Sequence, residues 1–94
     1  MTTIENLPEV TRADLIGRLK KIEGQARGLQ KMFEDGRECT AIIDQVASIK
    51  AAVNGLSGEM VGAYAIHCLT NAASFESPER AIEDAVRVLV RASR

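Results

Sequence analysis

Aromatic side chains are almost missing from this chain: Phe33, Tyr64 and Phe75 make up 3% of its 94 residues, and tryptophan is absent. A core must then come from Ile, Leu, Val, Met and Ala, which suits packed helices, and no segment shows the alternation of a strand. No run of about 18 apolar residues occurs, which excludes a membrane-spanning helix. Met1–Glu5 also lacks the basic-then-apolar layout of a secretory signal, so a soluble, cytoplasmic chain is expected. An excess of either charge is missing too. Twelve Lys and Arg stand against 13 Asp and Glu, and the net charge of −1 gives no sign of a nucleic-acid partner on average. Neither a helix-turn-helix pattern, a phosphate-binding loop, an internal repeat nor a low-complexity stretch is present. With no acid/base pair either, an enzyme is the least supported class.

What remains is a 46% hydrophobic sequence with helical periodicity. Residues 1–10, with Asn6 and Pro8, read as a flexible lead, and residues 11–94 as one helical domain. Thr11 and Asp14 have capping-box spacing and open a helix over roughly residues 12–35, with a seam of Leu15, Leu19, Ile22, Ala26, Leu29 and Phe33. Asp35-Gly36 is its stop signal. A second helix is expected from about Glu38 to Asn71, with Ile42, Val46, Ile49, Val53, Leu56, Met60 and Ala63 in steps of four and three. Gly55, Gly58 and Gly62 inside it each cost about 1 kcal/mol relative to Ala. They mark a break or, as we prefer, close packing against another helix. Ser77-Pro78-Glu79 reads as the cap, first position and acidic first turn of a third helix, whose apolar side is Ile82, Ala85, Val86, Leu89 and Ala92. The fold class is all-α with three helices per chain. So short a chain buries a modest core, and oligomerisation is the natural remedy.

Charge is uneven along the chain. Between Arg12 and Arg37 lie seven basic and four acidic residues, a local balance of +3. Opposite the apolar seam run Gly17, Lys20, Lys21, Gly24, Arg27, Gly28 and Lys31, a stripe of basic and very small residues. A solvated helix face accounts for this on composition alone. A phosphate backbone approaching closely accounts for the glycines as well, and several copies of the stripe would merge in an oligomer.

The two cysteines are 29 residues apart, eight helical turns plus about 20°, so they share a face of the second helix while standing about 43 Å apart. That distance forbids a shared ligand or a disulfide within one chain. An antiparallel partner helix sets Cys39 of one protomer beside Cys68 of the other, twice per dimer. Tyr64 falls in the same wedge, whereas His67, the sole histidine, is turned away by roughly 80–100°. Cys39 stands beside Arg37 at the helix end that stabilises negative charge, and is the expected attacking thiol, with Cys68 as the resolving one. Two small apolar residues packed at a helix interface remain the plainer alternative.

The string Arg18-Leu19-Lys20-Lys21-Ile22-Glu23-Gly24-Gln25-Ala26-Arg27-Gly28, then Cys39, then Asp44-Gln45-Val46-Ala47-Ser48-Ile49-Lys50-Ala51-Ala52-Val53, then Cys68, resembles the CsoR/RcnR/FrmR family of bacterial transcriptional repressors across nearly the whole chain. The resemblance implies an antiparallel four-helix-bundle homodimer, a homotetramer made of two such dimers, operator DNA as partner, and an inducer acting between subunits. It also implies DNA contacts at Arg18, Lys20, Lys21 and Lys50, to which the basic stripe adds Arg27. Copper sensors of the family carry a histidine where Tyr64 stands, and nickel and cobalt sensors add further histidines. Formaldehyde sensors use a proline at the second residue, here Thr2, and lack the second cysteine. The pattern that remains is similar to the CstR-like type, in which persulfide or polysulfide links Cys39 and Cys68 through a di-, tri- or tetrasulfide, with Tyr64 beside them and no cofactor. The alternative is a metal-responsive repressor holding Cu(I) on Cys39, Cys68 and an unidentified third ligand.

Overall fold

A computed structural model describes residues 2–93. It contains α1 (Glu9–Glu34), α2 (Cys39–Thr70) and α3 (Pro78–Ala92), with short 3-10 turns at Ile4–Asn6 and Ala72–Ser74 and no strand among the described residues. The all-α class is as expected.

The start of α1 differs from expectation. Pro8, at φ −57° and ψ 141°, is the last non-helical residue, and its carbonyl accepts from the Thr11 and Arg12 amides at 3.0 and 3.2 Å. Thr11 therefore lies inside the first turn, and no side chain caps this end. A fixed proline φ already prepares the chain to enter a helix, so the Thr11–Asp14 capping box is not needed. The stop signal is as read. Gly36 takes φ 66°, the Arg37 amide donates to the Met32 carbonyl at 3.0 Å, and the Gly36 amide to Phe33 at 3.3 Å. This is the left-handed exit that a side-chain-free residue adopts without strain.

α2 runs unbroken for 32 residues, about 48 Å, so its glycines do not interrupt it. A side chain approaches only one of them closely: a Cβ on Gly55 would lie 3.2 Å from the Arg18 guanidinium, while Gly58 and Gly62 face open space within the single chain. At the far end the Asn71 amide donates to the His67 carbonyl at 2.9 Å. Ser77 caps α3 as expected, its hydroxyl accepting from the Arg80 amide at 3.2 Å, with Pro78 in the first turn.

α1 and α2 form an antiparallel hairpin, and α3 folds back on the C-terminal end of α2. The seam inside this hairpin is only partly the one expected. Leu15 is buried and Ile22 and Leu29 are half-buried, but Leu19 and Phe33 stay 55% and 63% exposed. Positions four after Leu15 and Leu29 lie about 40° round from them, far enough to leave the α2 contact. The polar Arg18 and Gln25 take places in the seam instead. The Gln45 amide donates to the Gln25 carbonyl at 3.2 Å, and the Gln25 amide to Ser48 Oγ at 3.3 Å. α3 likewise packs through small residues: Ala81 and Ala85 are buried, whereas Ile82, Val86 and Leu89 point outward.

The result is a plate of 56 × 26 × 15 Å with a radius of gyration of 17.4 Å. A compact chain of this length has a radius near 12 Å, so this one is stretched along α2. Buried apolar residues are few: Leu7, Leu15, Ala65, Cys68, Ala81 and Ala85. Among the described residues no helix is long and apolar enough to cross a membrane.

Candidate functional site

The two thiols occupy opposite ends of α2 and different environments. Cys39 is the first helical residue and is exposed. Cys68 is 0% exposed, enclosed with Ala65 and Ala85 and covered by Tyr64 and Phe75. Because α2 is continuous, no bend brings these two thiols of one chain together.

Tyr64 precedes Cys68 by one turn, as the wedge argument requires. Burial first, then hydrogen bonding with the Cys68 thiol and the negative charge that Cys68 and Asp84 carry when ionised, push its phenol above the ordinary value of 10.0. A cleft of about 690 Å³ opens beside it, walled by His67, Asn71, Phe75, Arg80 and Asp84 among others. Asp84 pairs with Arg80 and Arg87, both at 3.3 Å, tying α3 to itself at the rim. His67 joins the cleft, not the thiols, and its Nδ1 lies 3.3 Å from the Asn71 side-chain amide. Among the described residues of a single chain, no group of three or more His, Cys, Asp or Glu side chains is poised to hold a metal.

The basic residues divide into two sets. Lys20, Lys21, Lys31 and Lys50 are exposed, and Arg27 is exposed while paired with Glu23 at 2.8 Å. Gly17 and Gly24 have open space around the missing side chain, in keeping with a face turned from the core. Gly28 lies at the edge of that face, since a Cβ there would come within 3.9 Å of Gln45 Nε2. Arg18 is different. Its Nε contacts Glu59 of α2 and also Asp14 at 3.3 Å, so the guanidinium bridges the two long helices. Hydrogen bonding with Asp14 and the Glu59 charge stabilise its cationic form. The two carboxylates also meet. Hydrogen bonding with Asp14 holds the Glu59 carboxyl above its usual range, and the same contact, with Arg18, holds Asp14 below.

Sequence reasoning did not find Glu59, Asp84 or the Gln25–Gln45–Ser48 bridge. A signal was available. Arg18 and Gln25 on α1 are seven apart, and Gln45, Ser48 and Glu59 on α2 follow in steps of three and eleven, so polar residues share the helical register of an interface.

The chain is thus a hairpin of long helices with a short third helix, a thiol at each end of the second helix and exposed lysines along the first. The family model for the metal-sensitive transcriptional repressors matches residues 11–91, and the chain belongs to that family. It is 31% identical over 86 residues to the copper-sensing transcriptional repressor CsoR of Bacillus subtilis, covering 92% of this chain and 85% of that one. It is 36% identical over 77 residues to the transcriptional repressor RcnR of Citrobacter koseri, covering 82% and 81%. The crystal structure of the copper-sensing repressor CsoR with Cu(I) from Geobacillus thermodenitrificans superposes with a TM-score of 0.79 at 31% identity, over 100% of this chain and 95% of that one.

Proposed function

We propose that this repressor binds operator DNA through its α1 face and is switched at Cys39 and the partner's Cys68, with Cu(I) as the inducer that the relatives favour. The observation that carries the two-chain site is the unbroken α2, which sets both thiols in one wedge at opposite ends. The donor set fits a soft monovalent ion, because thiolates are soft ligands and two of them suffice to bind it. It does not fit nickel or cobalt in the same way, since the chain has one histidine and Tyr64 offers a phenol where an imidazole would serve. Cys39 and the partner's Cys68 would hold the ion, which supplies a link between the chains. Operator contacts fall on Lys20, Lys21, Arg27 and Lys50, with Arg18 considered below.

Tyr64 favours a second reading, persulfide sensing in a homotetramer. The Cys39 thiolate takes the outer sulfur of a persulfide RSSH and releases RSH. The partner's Cys68 thiolate then displaces hydrosulfide and closes a disulfide, with longer bridges forming when more sulfur has been loaded. The thiols supply the two electrons, and the departing sulfur accepts them.

Intact-mass spectrometry after a polysulfide donor, run beside a Cu(I) titration followed by DNA binding, separates these readings. Stoichiometric Cu(I) with loss of DNA binding supports the metal; inter-protomer cross-links carrying extra sulfur support the persulfide. Changing Lys20 and Lys21 together to Ala is expected to weaken operator binding and flatten its salt dependence by about two phosphate contacts. Unchanged affinity at two salt concentrations would remove this part of α1 from the DNA surface.

A further inference from the structure

Arg18 is the one basic residue of α1 whose charge is spent on the other long helix. Its Nε meets Glu59 and Asp14, and its guanidinium lies over Gly55, where any side chain would stand 3.2 Å away. Even so, its side chain is 48% exposed, while that of Glu59 is 24% exposed. The outer edge of the guanidinium therefore opens to solvent. Lys21 follows three residues later, and Asp14 and Lys21 share that side of α1 with Arg18. An arginine so placed faces a choice, because the planar fork that grips a carboxylate grips a phosphate by the same geometry.

We propose that Glu59 is a positioning residue for Arg18, holding its guanidinium as an internal stand-in for a DNA phosphate, so that operator binding requires Arg18 to exchange one anion for the other. This rests on the operator-binding reading above. The contact joins the two halves of the switch. Arg18 belongs to the basic helix, and Glu59 rides on the helix that carries both thiols, nine residues before Cys68. Any turn or shift of α2 that follows chemistry at the thiols changes the hold of Glu59 on Arg18, and with it the charge offered to DNA. Gly55 lies beneath the contact, and a Cβ there, 3.2 Å from the guanidinium, would make it give way by a few tenths of an ångström.

The test uses the full-length, reduced protein and a labelled duplex selected by that protein from a random DNA pool. Glu59→Gln is expected to tighten binding roughly fivefold or more, because Arg18 no longer gives up a carboxylate in order to meet the phosphate. Arg18→Ala is expected to weaken binding, and in that background Glu59→Gln should change nothing. The same gain with and without Arg18 would show Glu59 acting as a distant charge and would overturn the proposal, as would no gain at all. Asp14→Asn is the second variant, at an exposed site that the fold tolerates, and it should give a smaller gain that also needs Arg18. Failure to select any duplex would overturn the operator-binding reading itself, an outcome distinct from a duplex that binds with no effect of Glu59.

Discussion

Cys68 shows how much one residue's surroundings decide. The other thiol, Cys39, is open to solvent, whereas Cys68 is sealed between α2 and α3. In the two single Cys→Ala variants, alkylation of Cys39 is expected to be at least about tenfold faster than that of Cys68, because a reagent reaches a buried thiol only through local opening. A faster Cys68 would reverse the attacking and resolving roles. Tyr64 gives a second expectation. Its pKa is raised by burial, so the folded state keeps the phenol proton more tightly than the unfolded chain does. Tyr64 then leaves stability unaffected by pH below its ordinary value of 10.0 and lowers it as pH rises beyond that value. Urea unfolding at two pH values either side of it, compared with Tyr64→Phe, isolates this contribution, which the variant should lack. The shared wedge of the thiols and Tyr64 was legible, since it follows from helical angles alone. The sealing of Cys68 was not, because it depends on where α3 folds back.

At the level of elements, the cap at Ser77 and the exit at Gly36 were legible because each is a local device of a few residues. The start of α1 was missed for a related reason: Pro8 does by its ring what Thr11 was expected to do by its hydroxyl. The seam of α1 was half legible. Apolar periodicity located Leu15, Ile22 and Leu29 but enrolled Leu19 and Phe33, which face outward, and passed over Arg18 and Gln25, whose polar groups find partners on α2. Gly24 tests what the open face of α1 is for. Nothing lies within 4 Å of a Cβ placed there, so Gly24→Ala should stabilise the helix by about 0.5–1 kcal/mol, seen as a higher Tm. If a phosphate backbone comes close at this point, the same variant weakens DNA binding despite its greater stability. Tighter folding with unchanged affinity would leave Gly24 an ordinary surface position.

As a whole molecule the chain is a plate 15 Å thick, with Ile16, Leu19, Val46, Val53 and Met60 in contact with solvent. The steps of four and three in α2 marked Val46, Val53 and Met60 as apolar but could not say that a single chain leaves them uncovered. Val53 is 44% exposed here, and Val53→Asp is expected to shift sedimentation from an oligomer to a monomer and to lower the Tm sharply. An oligomer that survives the charge would place the interface elsewhere. The thinness of the plate carries a further consequence under the proposed assembly. Half a core is of little use alone, so the number of working repressors rises more steeply than the number of chains synthesised. Scarcity then mimics induction: a cell that halves its supply of the chain loses more than half of its repression, and daughter cells that inherit few copies open the controlled genes with no inducer present.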